Sequence, residues 1–211
     1  MSLLRLRLEV EGTTILREIA VPENFTLAFL HVAIQDVFGW LDYHLHEFTD
    51  AKGVRYGDPD APPDDDECAF KSENEVMMKR PLKKPGDTLD YVYDFGDGNH
   101  VKITLLGRTS LAQRAHFASK GPDLIEDSAG LGGTEGVVSI LRGRDSSQKK
   151  EALAWLAAAF RKSPEAVLHE PDAAEIFLRV YRLVHLVSVS EGFCRPSYPH
   201  DPYWPCMQSV G

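Results

Sequence analysis

Seven histidine and acidic residues fall in three short stretches of the chain, and their side chains suit acid–base or metal chemistry. The first stretch holds a His-x-His pair, the second surrounds a Gly-Asp-Gly turn, and the third places an acidic pair before a glycine-rich loop. In chain order these residues are His44, His46, Asp94, Asp97, His100, Glu126 and Asp127. We treat the seven as a candidate polar cluster, which supports catalysis only if the three stretches meet in one cleft.

The His-x-His pair lies in the stretch His44–Thr49, which we predict to be a short strand. Alternate residues of a strand share a face, so His44, His46 and Phe48 would lie together, with the two histidine Cα atoms about 7 Å apart. Such a pair can chelate a metal, but a metal site needs a third and a fourth ligand, and none is adjacent in the sequence. The sequence alone therefore predicts neither a metal nor another cofactor, and it assigns no catalytic residue.

The second stretch lies at the tip of a predicted β-hairpin that spans Leu89–Leu106. Apolar residues alternate on both sides of the Gly-Asp-Gly cluster, which is typical of a hairpin. A two-residue loop at Asp97-Gly98 would mix polar and apolar residues on both faces, whereas a three-residue loop, Gly96–Gly98, leaves one face wholly apolar. We therefore predict the three-residue loop, with Gly98 at the position that requires a positive φ.

This register pairs Tyr93 with Val101 on the apolar face and Asp94 with His100 on the other face. The Asp94–His100 pair has two interpretations. One is a surface interaction worth roughly 0.2–1 kcal/mol. The other is a carboxylate that orients an imidazole, as in acid–base and metal sites.

Composition and charge limit the classes of function. The chain has 211 residues, a formal net charge of −9 and a sequence isoelectric point of about 5.3. Proteins that grip nucleic acid by its phosphates usually carry a basic surface, so this balance argues against direct nucleic-acid binding. Cys68, Cys194 and Cys206 are too few for a disulfide framework. We see no signal segment and no run of eighteen apolar residues, so we expect a cytoplasmic protein without membrane contact.

The other patterns predict an α+β fold. Leu3–Val10 and Thr14–Val21 alternate like the two strands of a hairpin, and Thr26 can cap a helix that ends at Gly39. We predict a mixed sheet built from this hairpin, the His44–Thr49 strand and the central hairpin, with the helix packed on one face. The order of these elements resembles a β-grasp-like roll.

We expect one domain over residues 1–211 with four parts. Residues 1–110 form the sheet-and-helix core, 111–145 a glycine-rich loop region, 146–190 a helical part, and 191–211 a tail rich in proline and aromatic residues. Within the core, Gly57–Glu67 holds six acids and three prolines without the spacing of a calcium loop, which predicts a solvated, mobile loop. The glycine-rich region lacks the Gly-Lys-Ser/Thr step of a phosphate-binding loop.

Three segments together resemble a known family. Trp40–Phe48 reads Trp-Leu-Asp-Tyr-His-Leu-His-Glu-Phe, Tyr93–Val101 reads Tyr-Asp-Phe-Gly-Asp-Gly-Asn-His-Val, and Glu126–Gly133 reads Glu-Asp-Ser-Ala-Gly-Leu-Gly-Gly. In this order, after an N-terminal hairpin and helix, they resemble the Ri-plasmid Orf-three-like family over residues 3–160. The resemblance implies an α+β fold, and the family has no firmly assigned activity.

The chain departs from the family pattern at three places. Ser128 stands where the family has a cysteine, no cysteine in Phe117–Gly121 matches the family's upstream Cys-x-Gly step, and Asn99 replaces a bulky residue. A metal or redox role that depends on those cysteines therefore does not transfer to this chain. Family members are sometimes labelled insertion-element passenger resolvases. Serine recombination needs an activated serine among arginines and a basic DNA-binding module, and this acidic chain indicates neither.

Two functions of different classes follow. The first is a non-enzymatic interaction module for an unidentified protein partner, associated with mobile elements, which the acidic composition and the aromatic tail favour. The second is a metal-assisted hydrolase that uses the Asp/His/Glu cluster. Convergence of the cluster within about 4–6 Å, with perturbed pKa values, would favour the enzyme. The sequence favours the module and indicates neither the substrate nor the oligomeric state.

Overall fold

The computed structural model describes residues 2–58, 71–110, 117–129, 132–160 and 163–189. In these residues the chain forms eight strands and five helices. The strands are β1 (Leu3–Val10), β2 (Leu16–Pro22), β3 (His46–Asp50), β4 (Arg55–Gly57), β5 (Lys71–Ser72), β6 (Thr88–Tyr93), β7 (Asn99–Thr109) and β8 (Ser119–Lys120). The helices are α1 (Leu27–Phe38), α2 (Gly133–Arg142), α3 (Ser147–Ala159), α4 (Pro164–Leu168) and α5 (Ala173–Val189).

One mixed sheet contains these strands in the order β5-β4-β3-β6-β7-β1-β2-β8. Neighbouring strands are antiparallel, except that β4 and β5 are parallel. The long strand β1 lies between β2 and β7, where Leu6 is opposite Ile19 on one side and Leu105 on the other. The predicted α+β class and the sheet built from two hairpins and a third strand are confirmed. The finer β-grasp-like description stays a prediction.

The main core lies on one face of this sheet, beneath α1. Alternate residues of β1 are fully buried, and the α1 side chains Leu30 and Ile34 pack in the same cluster. Burial of each large apolar side chain stabilises the fold by about 1.5–3 kcal/mol. The helix begins and ends as predicted, because the Thr26 hydroxyl accepts the Phe29 N–H and Gly39 adopts a left-handed φ of 74°. This packing holds α1 across the strands that lead to the site.

The central hairpin has the predicted strands, but its predicted register and loop are wrong. Tyr93 pairs with Asn99 rather than with Val101, so residues 94–98 form the loop. The register differs by two residues, which keeps every side chain on its predicted face. The loop is longer because Asp94 adopts a left-handed φ of 58° and its Oδ1 accepts the N–H groups of Gly96 and Asp97.

The predicted Asp94–His100 pair therefore does not form. His100 lies opposite Val92 in β7, and its side chain is exposed on the open face of the sheet. Asp94 is buried in the loop and faces a histidine from another segment.

The third strand begins later than predicted. β3 starts at His46, so His44 lies in the bend that precedes it, and the predicted His-x-His strand face is wrong. The bend forms because Asp42 adopts a left-handed φ of 58° and donates its N–H to the Gln35 side chain. His46 and Phe48 both face the core.

Among the C-terminal helices, α4 begins at a capping signal. Ser163 caps α4 through its hydroxyl, with Pro164 at the first helical position. Helix α5 packs Ile176 and Val180 into the main core. Helices α2, α3 and α4 share a second apolar cluster around Val137 and Leu156. The division of the chain into domain parts stays a prediction.

Several predicted features lie outside the described residues. They include most of the acidic loop Gly57–Glu67, the tail 191–211 and all three cysteines. Among the helices that the structure describes, none combines the length and apolar character that a membrane span requires.

Candidate functional site

The three segments that carry the family resemblance meet beside the start of β3 and the end of β6. The side chains that meet are His44, Asp94, Glu126 and Asp127. Backbone hydrogen bonds join the segments to the fold, since Asp94 N–H donates to the Leu45 carbonyl and Leu124 N–H donates to the Phe38 carbonyl. The convergence is therefore built into the backbone and does not depend on exposed side chains.

The imidazole of His44 lies at the centre of this group, which we call the His44 cluster. Its Nε2 atom is 3.3 Å from Asp127 Oδ1, 3.7 Å from Asp94 Oδ2 and 3.7 Å from Glu126 Oε2. This nitrogen is buried and makes no hydrogen bond within the described part of the chain. The ligand atoms of His44, Asp94 and Asp127 all lie within 4.8 Å of one another. Metal–ligand bonds of about 2.0–2.2 Å separate tetrahedral ligands by about 3.3–3.6 Å, and the distances from His44 Nε2 to Asp127 and to Asp94 are close to that separation.

Glu126 is held through one oxygen, and its other oxygen faces His44. Oε1 accepts the Leu41 N–H at 2.7 Å and the Tyr93 hydroxyl at 2.9 Å. Oε2 is buried without a hydrogen-bond partner among the described residues, in a side chain only 1% exposed. Burial raises the pKa of the Glu126 carboxyl, against the two hydrogen bonds that lower it. A buried oxygen without a donor is costly, so its orientation points to a ligand.

Tyr93 positions the Glu126 carboxylate. The sequence predicts only that Tyr93 lies on the apolar face of the central hairpin. Its hydroxyl donates to Glu126 and accepts the Tyr43 N–H at 2.9 Å. Burial, together with the neighbouring Glu126 charge, raises the pKa of Tyr93, so the hydroxyl keeps its proton at neutral pH. The available signal was a tyrosine at a buried strand position, because a buried phenol usually finds a hydrogen-bond partner.

Two of the carboxylates stand on left-handed backbone. Asp94 has a φ of 58° and Asp127 a φ of 52°. Positive φ is uncommon outside glycine, although aspartate tolerates it better than most residues. Non-glycine residues in this region cost about 1–3 kcal/mol and cluster at functional sites. The Asp94 and Asp127 side chains therefore face His44 from backbone conformations that cost free energy.

The other three residues of the predicted polar cluster lie outside the His44 cluster. Asp97 Oδ2 accepts the Ala129 N–H at 3.2 Å, which ties the hairpin loop to the third segment. His100 is exposed on the opposite face of the sheet, and His46 belongs to a separate network in the core. Four of the seven predicted residues thus converge, and Asp97 supports them from the edge.

In the second network, which we call the His31–His46 network, each of the two histidine rings has a hydrogen-bond partner. The two rings stack with their centroids 3.5 Å apart. His46 Nε2 and Glu73 Oε2 lie 2.8 Å apart, while the two nitrogens of His31 each lie 2.9 Å from a partner, Tyr91 Oη and Asp42 Oδ1. Burial, and then the proximity of His46, lowers the pKa of His31. Sequence reasoning missed His31, Asp42 and Glu73, because a lone histidine in an apolar helix carries no sign of its distant partners.

The His44 cluster can hold a divalent cation. One imidazole with several carboxylates suits zinc or manganese. The Asp127 side chain is 61% exposed, so the cluster opens to solvent on that side. A cation held there would keep a coordination position accessible to a small molecule.

A family model described as plasmid pRiA4b ORF-3-like protein matches residues 1–167. The chain belongs to this family. The resemblance that the three sequence segments suggested is therefore confirmed, and those same segments build the His44 cluster in the pRiA4b ORF-3-like fold.

Two proteins similar to this chain have no assigned function. The uncharacterized protein y4hQ of Sinorhizobium fredii (strain NBRC 101917 / NGR234) is 30% identical over 130 residues, which cover 59% of this chain and 61% of that protein. The chain thus spans less than two thirds of that relative. The crystal structure of MM3350, a protein of unknown function from Methanosarcina mazei Go1, is similar with a TM-score of 0.58 and 29% identity. The match covers 78% of this chain and 96% of MM3350.

Proposed function

We propose that this pRiA4b ORF-3-like protein is a divalent-cation-dependent hydrolase whose cation is held by His44, Asp94 and Asp127. One observation carries the proposal: the buried His44 Nε2 faces three carboxylate oxygens at 3.3–3.7 Å and makes no hydrogen bond within the described residues. A buried nitrogen and a buried Glu126 oxygen that both lack hydrogen-bond partners among the described residues are unfavourable. A cation shared by these atoms would remove that cost.

Glu126 has the position of a fourth ligand or of the group that accepts a proton from the attacking water. Its Oε1 is fixed by two hydrogen bonds, so Oε2 cannot turn away from His44 without breaking them. A bound zinc ion lowers the pKa of its water toward neutrality and leaves a position for that water. Oriented carboxylates beside such a water supply general-base catalysis.

A non-enzymatic interaction module is the second candidate. Tyr43, Leu45 and Phe95 are 65%, 46% and 44% exposed, and they adjoin His44 and Asp94 in the sequence. Large exposed side chains of this kind are typical of binding surfaces. The association with mobile elements rests on the plasmid in the family's name alone.

Removal and return of the cation tests the hydrolase proposal. The full-length protein is dialysed against a chelator, reloaded with Zn²⁺ or Mn²⁺, and assayed against a mixture of chromogenic esters, anilides and phosphate esters. We expect turnover only in the reloaded protein, with a loss of about 100-fold or more in Glu126→Gln and Asp127→Asn. Asp90→Asn is the matched control, because Asp90 is exposed in β6 opposite Lys102 and should keep full activity.

Cation binding without turnover of any substrate would contradict the hydrolase and leave the binding module. Equal turnover in the chelated and reloaded protein would contradict the role of the cation.

A further inference from the structure

Apart from the His44 imidazole, the His44 cluster is built from carboxylates. Asp94, Glu126 and Asp127 contribute three carboxylates, and Asp97 lies at the edge. Within the described residues, no lysine or arginine forms an ion pair with any of these four. Asp123, three residues before Glu126, differs in this respect because its carboxylate pairs with Arg179.

This charge balance bears on the substrate. With His44 neutral, three carboxylates exceed one divalent cation by one negative charge, so the loaded cluster stays anionic. Enzymes that transfer phosphoryl groups surround the developing negative charge with arginine, lysine or several metal ions. An anionic substrate would meet repulsion here, and repulsion between like charges strengthens where water is excluded.

Three exposed apolar side chains adjoin the cluster in the sequence. Tyr43 and Leu45 flank His44, and Phe95 follows Asp94, and all three side chains are exposed. The Leu45 carbonyl accepts the Asp94 N–H, so the two apolar segments run next to each other at the site. Exposed apolar groups beside a polar centre are typical of sites that bind an uncharged organic group.

Resting on the proposed cation-dependent hydrolysis, we infer that the substrate is an uncharged ester or amide, bound with its apolar group near Tyr43, Leu45 and Phe95. The net negative charge of the loaded cluster disfavours a phosphate ester. In the reaction the water oxygen forms a bond to the carbonyl carbon, and the carbon–oxygen or carbon–nitrogen bond to the leaving group breaks. One water proton passes to the site carboxylate and then to the leaving alcohol or amine, so no oxidant or further reactant is needed.

A series with a common chromophore tests this inference. Zinc- or manganese-loaded full-length protein is assayed with p-nitrophenyl butyrate, N-acetyl-leucine p-nitroanilide, p-nitrophenyl phosphate and bis(p-nitrophenyl) phosphate. Each rate is divided by the rate of the same substrate in buffer with the free cation. We expect an acceleration of the ester or the anilide at least about 100-fold greater than that of either phosphate ester, which corresponds to about 2.7 kcal/mol.

A charge variant sharpens the test. Phe95→Lys adds a positive charge beside the cluster, so it should raise the acceleration of the phosphate esters and lower that of the butyrate. Leu45→Lys, at a second exposed position, should act in the same direction. Phosphate turnover equal to or above acyl turnover in the unaltered protein, or two cations bound per chain, would overturn the substrate class while leaving the hydrolase proposal intact. Absence of cation-dependent turnover with every substrate would overturn the hydrolase itself.

Discussion

Two histidine–carboxylate groups lie side by side in this protein, and they differ in whether their polar atoms are paired. In the His31–His46 network, the stacked rings have hydrogen-bond partners in Asp42, Tyr91 and Glu73. In the His44 cluster, His44 Nε2 and Glu126 Oε2 are buried without a partner among the described residues. Both groups use adjacent tyrosines of β6, Tyr91 for the network and Tyr93 for the cluster.

The difference in pairing indicates which group stabilises the fold and which group binds a ligand. Paired buried polar groups rigidify a core and specify one arrangement of it. Unpaired buried groups cost free energy and persist where function requires them. We therefore propose that the His31–His46 network stabilises the fold and that the His44 cluster binds a ligand.

The largest expected effect is on the network. Glu73→Ala leaves the His46 imidazole buried without its carboxylate, so it should lower the free energy of unfolding by about 3 kcal/mol. Urea denaturation measures this loss, and added Zn²⁺ should not restore it. Glu75→Ala is the control, since Glu75 is exposed two residues away and its loss should change stability by less than about 0.5 kcal/mol. A cost below 1 kcal/mol for Glu73→Ala would contradict the structural role.

Substitution of Tyr91 and of Tyr93 distinguishes the His31–His46 network from the His44 cluster. Tyr93→Phe leaves Glu126 Oε1 and the Tyr43 N–H short of a partner, so it should cost about 1–3 kcal/mol and weaken cation binding about 10–100-fold. Tyr91→Phe removes a hydroxyl bonded to His31 and Gln35, so it should cost similar stability without changing cation affinity. Denaturation and calorimetry on both variants measure the difference. Equal effects of the two variants on cation affinity would remove the distinction.

Much of the fold was predictable because local signals agree with it. The alternation of Leu3–Val10 and the Thr26 and Gly39 caps of α1 each act within a few residues. The hairpin register was not predictable from alternation, because a two-residue shift leaves every side chain on the same face. The turn at Asp94 sets the loop length. It depends on the left-handed backbone of Asp94, which the sequence does not predict.

The site was predictable in residue types but not in partners. His44, Asp94, Glu126 and Asp127 were all candidates, but the sequence paired His44 with His46 and Asp94 with His100. Those pairings used the nearest residues in the chain, whereas the actual contacts join residues 50 and 85 positions apart, as in Tyr43 N–H to Tyr93 and Leu41 N–H to Glu126. Long-range contacts of this kind follow from the sheet order β3-β6-β7, which local patterns do not fix.

Calorimetric titration of Zn²⁺ into the chelator-treated, full-length protein tests the central claim most directly. The unaltered chain should bind one Zn²⁺, and His44→Ala should bind it about 100-fold more weakly or not at all. His100→Ala should bind like the unaltered chain, because His100 is exposed on the opposite face of the sheet. No binding by the unaltered chain, or equal binding by His44→Ala, would contradict the account and leave His44 as a histidine held by the surrounding carboxylates alone.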